Sequence, residues 1–373
     1  MKTLQNNPLC KPAGKRLLFA IALLLLTVNA FGETTDKTRK KEIYKQYDAL
    51  PGTILKIENI FGNIFISYWD KEEVEISASI EIRESETTID DVGFYDTKIE
   101  INKSGKTIFA KTTVNNPSLT NRRGWKRQKF DNGNLEINYH VKMPASTTID
   151  LFQSFGCIRL PEKVDGKAFL QIRFGDLTAG SFTQYLNLKG KFSKITMEHL
   201  QNAEIDVEHC ENIFFRNGDH VKLNSSFSRI EMRDIKKLEV SDRHGFFCFQ
   251  SSGDVTVDMS FSNAHFHRIT GELTLKSLKH GTATIQEVSP DFKLIKANAN
   301  FGTLNIGVPP LTSFSVKGSN MNFSKVNVRD FDSYVQEVSG EKTYYYRVNN
   351  GDSGKCLIEF TGNHSTLNVG TPK

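Results

Sequence analysis

The stretch "QIRFGDLTAG", residues 171–180, decides the fold. Polar and apolar residues alternate up to Arg173, the pair Phe174-Gly175 interrupts them, and the alternation then resumes. Alternation with a period of two is typical of a β-strand with one buried face. A glycine beside an aromatic residue, between two such runs, predicts a corner that joins two short strands.

This pair recurs along most of the chain. After an isolated Phe61-Gly62, equivalent pairs follow one another at nearly regular steps up to Phe323. The aromatic members are Phe155, Phe174, Phe192, Phe227, Phe261, Phe301 and Phe323, with His209, His244 and His280 interleaved and His364 beyond them.

A period of roughly 18 residues with two strands per unit is a β-solenoid signature. We therefore expect an all-β fold, a right-handed parallel β-solenoid whose units stack at about 4.8 Å. Each ring should take an inward or corner-packing position, and its small neighbour should supply positive φ or close backbone approach. A coil of about 35 residues with two corners, or a β-sandwich of short strands, would also fit the strand lengths. The shorter coil is favoured because its perimeter is conventional.

The flanking segments predict covers for the two ends of the stack. Long alternating strands with a hairpin at Lys103–Lys106 indicate an antiparallel N-terminal layer, and "TYYYRVNNGDSGKCLIEF" predicts a hairpin turning at Asn349–Gly354. The predicted organisation is a signal peptide at 1–30, a linker at 31–50, the first coil and antiparallel cap at 51–148, repeats at 149–330, and a C-terminal hairpin with the last coil at 331–373.

The N-terminus predicts export. Basic residues precede the apolar run Leu17–Leu26, and Val28-Asn29-Ala30 supplies small residues for cleavage after Ala30. The segment 1–30 carries four basic and no acidic side chains, so its removal lowers the formal charge from +5 to +1. A formal charge of +1 gives no reason to expect nucleic-acid binding. No later segment is long and apolar enough to predict a membrane span.

Reactive side chains are interpreted as structural. Cys157, Cys210, Cys248 and Cys356 lie too many coils apart to predict disulfides. The corner histidines are two coils apart, too far to share an ion, so no metal site is predicted. Nothing in the sequence marks a base beside any of the four cysteines, and no catalytic residue or cofactor is predicted. Asp219, Asp254 and Asp291 follow turn-forming residues and should cap backbone amides. Pairing of Asn298 with Asn320 and of Asn300 with Asn322 would form a short ladder.

Two surface segments are candidate ligand contacts. The loop "NRRGWKRQKFDNGN" interleaves Trp125 and Phe130 with the basic residues Arg122, Arg123, Lys126 and Arg127. It could dock on an anionic glycan, a lipid headgroup or an acidic partner. A solvated hairpin tip is the alternative for this loop. The second segment is Tyr344-Tyr345-Tyr346-Arg347, in which Tyr345 and Arg347 should face outward and could contact sugar.

The chain resembles exported bacterial adhesin-like β-solenoid proteins, many of them domains of unknown function. The resemblance rests on "IENIFGNIFISYWDKEEVEISASIEI", "LEINYHVKMPASTTIDLFQSFGCIRL" and serial units such as "RFGDL", and it covers nearly the whole chain after residue 30. It implies a surface-binding role and supplies no catalytic residues. The His-Gly and His-Cys corners depart from the family's plainer pattern.

The function expected from the sequence is non-catalytic binding at the cell envelope, in the periplasm, on the surface or after secretion. The ligand would be a glycan or a protein, held along a rigid repetitive face. A lyase-like enzyme acting on polysaccharide and a structural or signalling envelope module are the alternatives.

Overall fold

Alternating apolar and polar residues form strands throughout the part of the chain that the computed structural model describes, residues 37–84, 97–114, 135–338, 343–348 and 356–372. These residues hold 24 strands and no helix. The strands are β1 (Lys37–Asp48), β2 (Ile54–Tyr68), β3 (Glu73–Glu84), β4 (Thr97–Ser104), β5 (Thr107–Val114), β6 (Leu135–Met143), β7 (Thr148–Arg159), β8 (Lys163–Val164), β9 (Ala168–Lys191), β10 (Lys194–Glu208), β11 (Asn212–Ser226), β12 (Arg229–Arg243), β13 (Phe246–Ser260), β14 (Asn263–Ile269), β15 (Leu273–Lys279), β16 (Thr282–Val288), β17 (Leu294–Asn300), β18 (Thr303–Gly307), β19 (Phe314–Asn322), β20 (Lys325–Val328), β21 (Ser333–Val338), β22 (Thr343–Val348), β23 (Leu357–Asn363) and β24 (Thr366–Gly370).

Successive sequence units pair in parallel, one on the next. Ile195 of β10 pairs with Ile213 of β11, which pairs with Ile230 of β12. Each step across the ladder therefore advances the chain by one short unit. The alternative coil of about 35 residues is wrong. In such a coil Ile195 and Ile213 would lie within one turn, and they could not pair as equivalent residues of adjacent turns. Parallel pairing at a regular offset also excludes the β-sandwich alternative.

Each unit contributes two strand segments to the large sheet, one before its ring residue and one after it. We call the stacked segments before the rings the leading ladder and those after them the trailing ladder. Every second side chain of both ladders is buried, as the column Ile195, Ile213, Ile230 and Phe247 illustrates. The alternation read from the sequence thus becomes one continuous apolar core.

The N-terminal strands surround β2. Its start, Ile54–Glu58, pairs with β5, its end, Ile64–Tyr68, pairs with β6, and most of its length, Ile54–Phe65, pairs with β7. β4 and β5 form the predicted hairpin, with Gly105 at a φ of 57°. Part of the predicted linker 31–50 is instead a strand, since β1 pairs antiparallel with β3 along its full length. This charged strand packs against the core through the partly buried Ile43 and Tyr47.

The C-terminal strands depart from sequence order. β23 lies between β17 and β19, and β24 lies between β18 and β20, with parallel pairing on both sides. The last unit of the chain is therefore inserted between two earlier units, and the expectation that it would end the stack is wrong.

The predicted hairpin with a turn at Asn349–Gly354 is also wrong. β22 pairs antiparallel with β19 and β21, whereas β23 has only parallel partners among the described residues. Insertion of β23 into the parallel ladder explains the difference, because both edges of that strand are already bonded to β17 and β19. No helix of the described residues has the length and apolar character needed to cross a bilayer.

Candidate functional site

The recurring rings form one continuous stack at the junction of the two ladders. Twelve rings follow one another with centroids 4.8–5.3 Å apart and with planes inclined by 1–25°. We call this stack the ring column; its members in spatial order are Phe61, Phe155, Phe174, Phe192, His209, Phe227, His244, Phe261, His280, Phe301, His364 and Phe323. At the strand spacing of ~4.8 Å the column is roughly 50 Å long.

The phenylalanines of the column face solvent. From Phe155 to Phe301 they are 43–56% exposed, and Phe323 at the end is 83% exposed, whereas Phe61 is buried at 9%. The rings therefore occupy the corner position and not the inward one that the sequence left open. Monomeric soluble proteins rarely expose large apolar side chains in one contiguous line, so the column is a candidate interaction surface.

The ring residue itself makes the corner. Each of the twelve has a φ between 49° and 61°, in the left-handed region. This conformation costs an L-residue about 1–2 kcal/mol, and stacking of aromatic pairs returns about 0.5–1.5 kcal/mol beyond area burial. The stack thus offsets a strain that recurs at every corner.

Glycine after the ring serves close approach, as predicted. A Cβ added at Gly175 would overlap the carbonyl oxygen of Gly156, and one added at Gly156 would overlap that of Gly62. The positive φ expected at the small residue is found at Gly62 and Gly156, whose φ values are 140° and 159°. At the other corners the aromatic neighbour alone carries the left-handed conformation.

Serine after the ring closes the corner with hydrogen bonds. The Ser228 hydroxyl donates to the carbonyl oxygen of Ser226 at 2.8 Å and accepts the amide N–H of Cys210 at 3.1 Å. Ser365 repeats the arrangement, donating to Asn363 at 2.8 Å and accepting from the amide of Gly302 at 3.2 Å. A serine in one unit therefore satisfies a corner amide in the unit stacked on it.

The alternation of phenylalanine and histidine extends from Phe192 to Phe323 in space. In the sequence it breaks between Phe301 and Phe323, but the inserted last unit places His364 between them, 4.8 Å from each ring centroid. Every histidine of the column is therefore stacked between two phenylalanines.

A groove of about 1000 Å³ runs beside the ring column on the leading ladder. The residues directly before the rings line this groove. Four of them are basic, Arg173, Lys191, Arg243 and Lys279, and one is acidic, Glu208. Lys191 and Glu208 form an ion pair. The hydrogen bond from Lys191 lowers the pKa of the Glu208 carboxyl below its usual value.

One acid of the groove wall points into the core. Asp242 is 3% exposed, accepts hydrogen bonds from the Ser225 hydroxyl and from the amide of Gly245, and lies next to His244 of the column. Burial raises the pKa of Asp242, although the bond from Ser225 opposes the shift. Burial of a carboxyl disfavours its charged form.

Tyr345 and Arg347, the predicted contact residues that the structure describes, do not line this groove. Arg122, Arg123, Trp125, Lys126 and Arg127 lie outside the described residues. Tyr345 and Arg347 are exposed on β22, beyond the last parallel pair, and the Lys317 ammonium lies 5.9 Å from the centroid of the Tyr345 ring.

Structural roles account for most other singled-out side chains. The four cysteines of the described residues form no disulfide with one another and are buried or half-buried, as expected. Asp254 caps the amide of Glu272 at 3.0 Å, and Asp219 instead binds Lys236 at 2.8 Å. In the described part of the chain, no three His, Cys, Asp or Glu side chains are placed to hold a metal ion.

The asparagine ladder exists in a different register from the one predicted. Asn363 lies between Asn300 and Asn322 and donates to the Asn300 side chain at 3.0 Å. A second run joins Asn327, Asn368 and Asn305 through two bonds of 2.8 Å.

Comparison with known proteins finds distant structural neighbours. No family model and no curated protein matches this chain. A solved "putative adhesin" from Bacteroides fragilis is 14% identical, covers 72% of this chain and 97% of its own, and gives a TM-score of 0.30. A "putative adhesin" from Parabacteroides distasonis (10%, 88% and 97%, TM-score 0.29) and a "putative cell adhesion protein" from Clostridium sporogenes (13%, 89% and 100%, TM-score 0.19) are also similar. These structural neighbours are thus bacterial proteins named as adhesins.

Proposed function

We propose that this chain is an exported, non-catalytic binding protein of the bacterial cell envelope, and that the ring column with its groove is its contact surface. The single observation that carries the proposal is the continuous exposure of the column. Eleven stacked corners, from Phe155 to Phe323, hold their rings in solvent, and each has a left-handed backbone.

The proposed architecture is a right-handed parallel β-solenoid. Parallel connections between strands of one sheet are right-handed in nearly all proteins, and the offset of one short unit per step fits a coil of two short strands. β1, β3 and β4–β6 would cover the first coil, and β21 with β22 would cover the last. Covered ends prevent edge-to-edge association of such a stack.

A rigid ladder suits shallow contact with a long ligand. Equivalent side chains recur at each unit, so one ligand can meet many weak contacts at once, and their sum sets the affinity. A polysaccharide or an extended protein segment of the envelope has the required length. The signal-like N-terminus supports export.

The test compares ring variants on an array of envelope glycans and proteins. The double variant Phe227→Asn and Phe261→Asn removes two rings but keeps the corner backbone, since asparagine tolerates left-handed φ and Asn320 adopts a φ of 53° in this chain. Phe169→Asn is the matched control, because Phe169 is 40% exposed and lies outside the column.

We expect the double ring variant to lose binding at least tenfold and the control to retain it. Equal binding by both folded variants would refute the ring column as the contact surface. Release of cleaved product from any array polysaccharide would refute the non-catalytic assignment.

A further inference from the structure

Stacking determines which part of each ring a ligand can reach. Between the two end rings of the column, Phe61 and Phe323, every ring is sandwiched face to face between two neighbours about 4.9 Å away, as Phe174–Phe192 and Phe192–His209 show. The faces are therefore covered, and the exposed surface consists of ring edges. A sugar ring could not stack flat on this surface, as it does on an isolated aromatic side chain.

Ring edges and ring faces differ in electrostatic character. The face of an aromatic ring is negative and its edge is positive. A ridge of aligned edges therefore favours anionic groups over neutral ones. The four histidines add ring nitrogens that can donate hydrogen bonds to the same groups.

The side chains next to the ridge have the same preference. Arg243 and Lys279 precede His244 and His280, and both line the groove and are exposed. They lie two units apart, roughly 10 Å at the strand spacing, with Ser260 between them. Arg173 extends the basic line further along the column.

The acids of the groove weaken this preference without reversing it. Asp206 and Asp258 lie two residues further from the rings than the basic side chains, and Asp206 accepts a bond from the Asn224 amide at 2.7 Å. Glu208 is neutralised by Lys191, and Asp242 is turned into the core. The strip directly beside the rings is consequently positive.

From these observations we infer that the groove binds an extended acidic polysaccharide, whose carboxylate or sulfate groups meet the ring edges and the line of Arg173, Arg243 and Lys279 while its chain runs along the ladder. This inference rests on the proposed binding function and specifies its ligand class.

The experiment measures binding of the folded protein to three probes by calorimetry at low salt: polygalacturonate, neutral dextran of matched length, and a single-stranded oligonucleotide. The test variant is Arg243→Ser with Lys279→Ser. Serine occupies the same position in neighbouring units, at Ser226 and Ser260, so the variant should fold. The control Arg233→Ser with Lys237→Ser removes the same charge from exposed positions that do not line the groove.

We expect polygalacturonate to bind at least tenfold more tightly than dextran. The test variant should weaken that binding about tenfold, since two exposed charge contacts of about 0.7 kcal/mol each amount to one decade, and the control should change it less than twofold. Phe261→Asn should weaken it as well, because it interrupts the ridge. Thermal melting followed by circular dichroism verifies that each variant is folded.

Several results would overturn the inference. If dextran bound as tightly as polygalacturonate, with ring variants impaired and charge variants normal, the binding function would stand and the acidic ligand would be refuted. If the oligonucleotide bound as tightly as polygalacturonate with the same losses, the surface would be a general polyanion site. Absence of binding to all glycans and envelope proteins would refute both proposals.

Discussion

Removing a ring from the middle of the column should destabilise the protein more than removing its last ring. Phe227 is 52% exposed and stacks on two neighbours, His209 and His244, whereas Phe323 is 83% exposed and stacks on His364. Replacement of either by asparagine keeps the left-handed backbone. The comparison therefore isolates the contribution of the ring.

The expected magnitudes follow from area and stacking. A phenylalanine presents about 200 Å². Phe227 hides about half of it, worth about 2.5 kcal/mol at about 25 cal/mol per Å². The two lost stacking contacts add about 2 kcal/mol. Asparagine tolerates the left-handed φ better than phenylalanine, which returns about 1 kcal/mol. Phe227→Asn should therefore lower the free energy of unfolding by about 3–4 kcal/mol.

For Phe323 the same terms give about 1 kcal/mol for the hidden area, about 1 kcal/mol for one stack and about 1 kcal/mol of relief. Phe323→Asn should therefore cost only about 1 kcal/mol. Urea unfolding followed by circular dichroism measures both. An equal or smaller cost at Phe227 would refute the claim that stacking offsets the corner strain.

Three further predictions concern the core, the corner and the inserted unit. Because the folded pKa of Asp242 is raised above the unfolded value near 3.8, the native state holds the extra proton and loses stability as pH rises through the folded pKa. In urea titrations Asp242→Asn should therefore gain stability relative to wild type as pH rises above about 4, and a pH-independent difference would contradict this. Gly175→Ala should lower the free energy of unfolding by about 2–3 kcal/mol, because the added Cβ would overlap Gly156. Gly105→Ala should lower it by about 1 kcal/mol, because Gly105 has a left-handed φ but no atom within 4 Å of the added Cβ. Equal melting temperatures of the two variants would contradict the close approach at Gly175. Deletion of residues 356–373 removes β23 and β24, which are inserted between earlier strands, so it should lower the melting temperature and promote aggregation measured by light scattering. A shortened chain that melts at the same temperature and does not aggregate would contradict the insertion.

The repeat predicted the parallel ladder because stacking in register brings the same residue type to the same place in every unit. Alternation likewise predicted which side of each strand is buried. It could not decide the orientation of the ring, because a left-handed residue at the corner breaks the alternation that defines inside and outside. The outward position of Phe174 depends on that φ value, which composition does not reveal.

The order in which the units stack was the other feature that sequence reasoning missed. Sequence order placed Phe323 directly after Phe301, yet the last unit lies between them. The alternation of phenylalanine and histidine carried the missing signal, since His364 restores it only at that position. The strand β1 was missed because it contains only Ile43 and two tyrosines as large apolar side chains.

The candidate groove was also absent from the sequence-based prediction. Arg173, Arg243 and Lys279 are far apart in the chain, and only the register of the stacked units aligns them beside the rings. A search for charges at the position before each ring would have found them. The charge cluster at Arg122–Arg127 is contiguous in the sequence, so no knowledge of the register is needed to recognise it.

The order of units in the ladder can be tested directly with paired cysteines. Asn300 and Asn363 are neighbours in adjacent parallel strands, about 4.8 Å apart, whereas Asn300 and Asn322 are separated by β23 and lie about 10 Å apart. A disulfide requires Cα atoms within about 7 Å. Oxidation should therefore crosslink Asn300→Cys with Asn363→Cys and leave Asn300→Cys with Asn322→Cys as free thiols. Crosslinking of the second pair and not the first would show that the ring column is not the continuous stack described above.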